Sequence, residues 1–173
     1  MKTCDVLIQD QKTGAKLPGF LRIPPAPRGW VIFAHGSGSS RFSPRNIQMA
    51  KALNDRQQAT LLFDLLTPLE SGDRKNVFNI PLLASRLLLA VEWLQRQLDY
   101  NGTPIAFFGA STGAAAALSA ASIAGKNVRG VVSRGGRVDL ARAAAPEVSC
   151  PVLLIVGGWD EPVLTWNREI LPV

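Results

Sequence analysis

Histidine is nearly missing from this chain: His35 is the only one among 173 residues. That scarcity excludes a histidine-rich metal centre, and no Cys-x-x-Cys or His-x-x-x-His spacing offers a substitute. Cysteine is scarce as well. Cys4 and Cys150 make no disulfide framework, so a reducing, cytoplasmic setting is the expectation. No apolar run has membrane-spanning length without charge. The best candidate, residues 80–98, carries Arg86, Glu92 and Arg96 and reads as a soluble helix. Met1-Lys2-Thr3-Cys4-Asp5 lacks the apolar core of a secretion signal, so no membrane partner is expected. Dense basic runs are absent too. The net charge is +6, from 19 basic and 13 acidic residues. The basic residues are scattered and not interleaved with aromatics, which argues against nucleic acid as a partner. A solvated basic surface, or attraction of acidic substrates, accounts for the charge.

What is present is apolar and glycine-punctuated. Hydrophobic residues make up 47% of the chain, enough for one core, and no repeat or linker divides it. Residues 5–9 and 19–23 read as an antiparallel hairpin around a turn at 12–16. Residues 30–34, 59–64, 104–108, 127–133 and 151–156 read as buried strands. Helices are predicted from Ser43-Pro44 (Ser as N-cap, Pro at the first position), over 80–98, over 114–124, around 139–145 and over 162–170. Residues 67–79 read as a polar functional loop. Strands that alternate with helices and are apolar throughout predict a mostly parallel sheet covered on both faces. The polar and glycine-rich residues collect at strand C-termini, the edge where open α/β sheets carry their sites.

One stretch points to chemistry. Gly109-Ala110-Ser111-Thr112-Gly113 fits Gly-x-Ser-x-Gly between an apolar strand and a small-residue helix, the setting of a nucleophile elbow. Ser111 is the candidate nucleophile. Its oxyanion hole would use the backbone N–H of Thr112 and, from the loop after the first parallel strand, that of Ser37. Asp160 follows Ser111 at a later strand end and is the candidate triad acid; it also reads as a helix N-cap. His35 precedes the nucleophile, inside the oxyanion loop. It reads as a brace that bonds backbone groups, with a general-base role as the competing reading. Arg41 and Arg45 follow the oxyanion loop, and Arg134 and Arg137 follow a strand end; of these, Arg41 and Arg134 are the candidates to attract a substrate carboxylate, against a solvated basic rim.

The motifs His35-Gly36-Ser37-Gly38, Phe63-Asp64-Leu65-Leu66, Gly109-Ala110-Ser111-Thr112-Gly113 and Gly157-Gly158-Trp159-Asp160, in that order over residues 4–170, resemble those of the α/β-hydrolases, and specifically of the dienelactone-hydrolase-like branch. The resemblance implies a three-layer α/β fold, a serine acyl-enzyme mechanism, no cofactor, and a small ester or lactone as substrate. The branch carries Cys as nucleophile; Ser111 in that position implies a general ester hydrolase. In the family a further strand, a loop with the catalytic histidine and a closing helix follow the acid. Here no histidine follows Ser111. The single domain of residues 1–173 is therefore expected to be truncated, with its last strand and helix missing. Strand 151–156 would then be a sheet edge, which invites a homodimer through it. The absent histidine also leaves open a non-catalytic binding or interaction module that keeps the pocket without the chemistry.

Overall fold

A computed structural model describes residues 1–170. Its centre is a seven-stranded sheet in the order β1-β2-β4-β3-β5-β6-β7. The strands are β1 (Lys2–Gln9), β2 (Lys16–Ile23), β3 (Gly29–Ala34), β4 (Gln58–Phe63), β5 (Ile105–Ala110), β6 (Val131–Arg134) and β7 (Val152–Ile155). The hairpin β1–β2 is antiparallel and joins β4 antiparallel, while β4, β3, β5, β6 and β7 run parallel. From β3 the chain moves to β4 on one side, then crosses back to β5 on the other. The strand order therefore reverses between β3 and β5, and a crevice opens beyond their carboxyl ends.

Among the described residues, six helices cover the sheet: α1 (Pro44–Asn54), α2 (Pro68–Ser71), α3 (Arg74–Val77), α4 (Ile80–Gln95), α5 (Thr112–Ala124) and α6 (Glu161–Ile170). The strands are apolar throughout because successive residues feed two different cores. Trp30 and Ile32 of β3, Leu61 and Phe63 of β4, and Phe107 of β5 join the larger core with α4 and α5. Phe33, Leu62 and Phe108, their neighbours in the pleat, pack with Ala50 of α1 on the opposite face. This is the three-layer, mostly parallel architecture that the alternation of elements predicts.

The departures from the sequence reading have local causes. Residues 67–79 are not an open loop. Thr67 and Glu70 form a reciprocal capping box that starts α2 at Pro68, and Asp73 caps α3. The strand expected over 127–133 is shorter, because a 3-10 turn occupies Gly125–Asn127 before β6 begins at Val131. The helix expected near 139–145 is two 3-10 turns, the second opened by Pro146. Helix α4 stops at Gln95, and Leu98 beyond it is fully exposed.

The hairpin, α2 and α4 are held together by one buried cation. Arg86 of α4 is 1% exposed. Its guanidinium donates to Asp10 at 2.6 Å and to Glu70 at 2.7 Å. The second oxygen of Glu70 accepts the Thr67 N–H, so the cap of α2 and the ion pair share one carboxylate. Desolvating a guanidinium is tolerable only while these partners are present. Arg86→Met is expected to cost about 3 kcal/mol, the low end for a broken buried pair because both carboxylates stay partly in water. Urea denaturation should show the midpoint falling with the slope unchanged.

Candidate active site

The crevice at the strand reversal holds Ser111, Thr112 and the loop that contains His35 and Ser37. Ser111 sits between β5 and α5 with φ 52° and ψ −123°, a backbone conformation that costs a residue with a side chain about 1–3 kcal/mol. The surroundings enforce it. The Ser111 N–H donates to the Arg134 carbonyl at 3.3 Å, and the Ser111 carbonyl accepts from the N–H groups of Ala114 and Arg137, each at 3.0 Å. On either side, glycine is required. A Cβ on Gly109 would lie 2.5 Å from the Ala114 Cα, and one on Gly113 would lie 2.2 Å from the Ala34 carbonyl oxygen. The first turn of α5 thus rests directly on the end of β3, a contact that its row of buried alanines, Ala114 to Ala117, also permits.

The loop after β3 passes over the elbow. A Cβ on Gly36 would come within 2.9 Å of the Ser111 Cβ and 3.6 Å of its Oγ, so the backbone beside Ser37 lies against the serine. Gly38 takes φ 69°, which turns the loop, and the Ser39 N–H closes it on the Gly36 carbonyl at 3.2 Å. A cavity of about 420 Å³ opens here. One wall is the loop from His35 to Ser40 together with Thr112; the other contains Leu65, Leu66, Pro68, Val77 and Leu83. Ser37 and Thr112, the two residues named for oxyanion donors, therefore face one space. The Thr112 hydroxyl is buried there without a protein partner among the described residues.

His35 fastens the two walls. The Leu65 N–H donates to its Nε2 at 3.1 Å, which fixes the neutral tautomer, and its Nδ1–H donates to the Gly36 carbonyl at 3.0 Å. Both ring nitrogens are committed to backbone, so neither is directed at Ser111. Burial pushes the imidazole below its ordinary 6.5, opposed by the bond to Gly36 and by the nearby Asp64 charge.

The remaining candidates lie apart. Asp160 is exposed, two strands away beyond the end of β7, and directly precedes α6; its carbonyl accepts the Leu164 N–H at 2.8 Å. Neither arginine lines the cavity. The Arg41 guanidinium is bound to Asp64, whose other oxygen accepts the Arg41 N–H at 2.7 Å, and it lies 4.2 Å over the Phe42 ring. Arg134 donates to the Asn46 side chain at 3.0 Å and sits over Phe108. Sequence reasoning missed the apolar wall. The Thr67-Pro68-x-Glu70 capping signature was the signal that could have placed α2 there.

No family model matches this chain. It is 57% identical over 151 residues to a Mycobacterium tuberculosis protein named "Putative phosphoribosyl transferase"; the match takes in 87% of this chain and 34% of that relative. This chain thus spans about a third of the length of the curated relatives it matches. Among solved structures, a dienelactone hydrolase from Anabaena variabilis superimposes with a TM-score of 0.93 at 47% identity, covering 99% of this chain and 80% of that one. Est1E from Butyrivibrio proteoclasticus shares the fold, with a TM-score of 0.76 at 15% identity over 95% of this chain and 84% of its own.

Because His35 is the sole histidine, its titration can be isolated. Its folded-state pKa is depressed, so the unfolded chain binds more protons as the pH falls through 6.5. Stability is expected to hold above that pH and to decline below it until the folded-state pKa is passed. Unfolding midpoints between about pH 5 and 7 should show this slope in the wild type and lose it in His35→Gln.

Proposed function

The chain belongs to the dienelactone hydrolases of the α/β-hydrolase superfamily, and from that premise we propose that it is a serine-dependent hydrolase of small carboxylic esters or lactones. The observation that carries the reading is Ser111: a positive-φ serine, held under the Gly36 backbone, beside a cavity that Ser37 and Thr112 line. In this reading the Ser111 Oγ adds to the ester carbonyl carbon. The carbonyl oxygen becomes an oxyanion that accepts from the Ser37 and Thr112 N–H groups. Collapse of the tetrahedral intermediate expels the alcohol and leaves an acyl-enzyme, which water then hydrolyses.

The proton leaving Ser111 passes to solvent water, which returns one to the departing alkoxide, because both His35 nitrogens are occupied by Gly36 and Leu65. Asp160 keeps the part the resemblance gives it, orienting a base, and no second histidine is in the sequence. Acylation by these 173 residues then relies on binding and the oxyanion hole, which in subtilisin still give roughly 10³–10⁴ over water after the triad is removed. The two-sided engagement of His35 also favours a second reading, a non-catalytic module that binds esters without cleaving them. The name of the mycobacterial relatives belongs to much longer proteins, of which this chain matches about a third.

A short-chain chromogenic ester tests the hydrolase reading. Wild type is expected to exceed Ser111→Ala by at least tenfold and to be labelled at Ser111 by a fluorophosphonate; equal rates and no labelling would instead establish the binding module. The same proposal includes self-association. Strand β7 pairs only with β6 among the described residues, and Val152, Leu153 and Ile155 on it are exposed. An apolar, unpaired edge pairs with another chain, here a second copy. Sedimentation velocity should give a dimer that Leu153→Lys converts to monomer; a monomer at all concentrations would refute it.

A further inference from the structure

Among the described residues of α6, the one fully buried side chain is an amide. Asn167 is 4% exposed, while Val163, Leu164, Trp166 and Ile170 are only partly buried. Burying an amide is unfavourable unless it is hydrogen-bonded, and an aliphatic side chain would dock an amphipathic helix without that demand. The bonds show what the amide does there. It donates from Nδ2 to the Val163 carbonyl at 2.8 Å, one turn back in the helix, and to the Gly136 carbonyl at 2.9 Å. Both partners are acceptors, so the NH2 end must face them. The Oδ1 is buried without a protein partner among the described residues, so the side chain serves as a donor.

Gly136 lies in the loop after β6, which is pressed against the nucleophile turn. A Cβ on Gly136 would run into the Ser133 Oγ and lie 2.7 Å from the Ala114 Cβ in the first turn of α5. The carbonyl of Gly136 and the N–H of Arg137 belong to one peptide group. Asn167 holds the carbonyl end, and the N–H end donates to the Ser111 carbonyl at 3.0 Å. The peptide is planar and trans, so its C=O and N–H point in opposite directions and fixing one aims the other. A bond accepted by the carbonyl also polarises the N–H, so the two hydrogen bonds strengthen each other. The Arg137 side chain turns back toward α6. Its guanidinium is gripped by Asp139 at 2.9 and 2.8 Å and lies 4.4 Å over the Trp166 ring.

Resting on the reading of Ser111 as the nucleophile, we propose that Asn167 is a positioning residue for it: the amide locks the Gly136–Arg137 peptide so that its N–H stays on the Ser111 carbonyl. A serine at φ 52° persists only where its surroundings over-determine it, and this relay from α6 supplies one of its three backbone bonds. Asp160 directly precedes α6, so the same amide ties the helix that follows the candidate acid to the loop that holds the serine.

Asn167→Ser and Asn167→Leu test the relay, with Ile170→Ala as control. The shorter serine keeps a hydroxyl for the Val163 carbonyl and gives up Gly136. Leucine keeps an apolar contact for α6 and decides the question if the serine variant does not fold. Ile170→Ala loosens α6 through its contact with the core and leaves the amide in place. Amide hydrogen exchange followed by NMR is expected to be about tenfold faster at Arg137 in both Asn167 variants, with the Ser111 and Ala114 amide signals shifted and exchange in β3 and β4 unchanged. The rate of Ser111 labelling by a fluorophosphonate should fall about fivefold in the same variants. Ile170→Ala should match the wild type in both measurements. Wild-type exchange at Arg137 in the Asn167 variants would overturn the proposal, as would faster exchange there with unchanged labelling. Equal losses in Ile170→Ala would overturn it too, because Asn167 would then be an anchor of α6 and nothing more. Failure of the hydrolase reading shows separately, as a wild type that the fluorophosphonate does not label, and the exchange at Arg137 then decides the relay alone.

Discussion

Helix α5 lies so close to the end of β3 that Gly113 has no room for a side chain against the carbonyls of Ala34 and His35. Most of the site's geometry follows from this backbone contact. A strand that must hand over to a helix in direct contact with the neighbouring strand has one residue in which to turn. Ser111 is that residue, and its positive φ is the result. The turn aims the N-terminus of α5, with its free N–H groups, at the crevice where the strand order reverses. Gly36 completes the fit by letting the loop after β3 cross over the serine. The strain at Ser111 is held by three backbone hydrogen bonds to its flanks and to the residues around β6.

A second constraint is how the charges are used. Three arginines serve the architecture: Arg86 joins the hairpin to α2 and α4, Arg41 closes on Asp64, and Arg134 ties β6 to α1 through Asn46. Through Glu70 and the Thr67 cap, Arg86 also sets the position of Pro68, which lines the cavity. The helices beyond β4 are thereby the apolar wall of the site as well as a connection. His35 links that wall to the loop after β3 through two backbone hydrogen bonds, and burial keeps it neutral for both.

The sheet, the elbow and the helix caps could be read from local pattern. Apolar runs such as Trp30 to Ala34 and Ile105 to Phe108 admit little but buried strands, and Ser43-Pro44 opens α1 where the capping pair indicates. Ser111, Ser37 and Thr112 were likewise nameable, because strand, glycine turn and small-residue helix specify one kind of turn. The helices within residues 67–79 were hidden by polarity, although Thr67 and Glu70 carry a capping box. The strand read from Asn127 began too early, because a 3-10 turn over Gly125–Asn127 runs into its first residue and β6 starts only at Val131.

From the sequence alone come the alternation of strands and helices, the position of the Gly-x-Ser-x-Gly turn, and the presence of one histidine. These depend on residues adjacent in the chain, where periodicity and turn chemistry act. Only the tertiary structure decided what His35, Arg41 and Arg134 do, since each is claimed by a group far away in sequence: Leu65, Asp64 and Asn46. A titratable or charged side chain takes its role from the partner that desolvation forces it to find, and that partner is fixed by which loops the sheet order brings together.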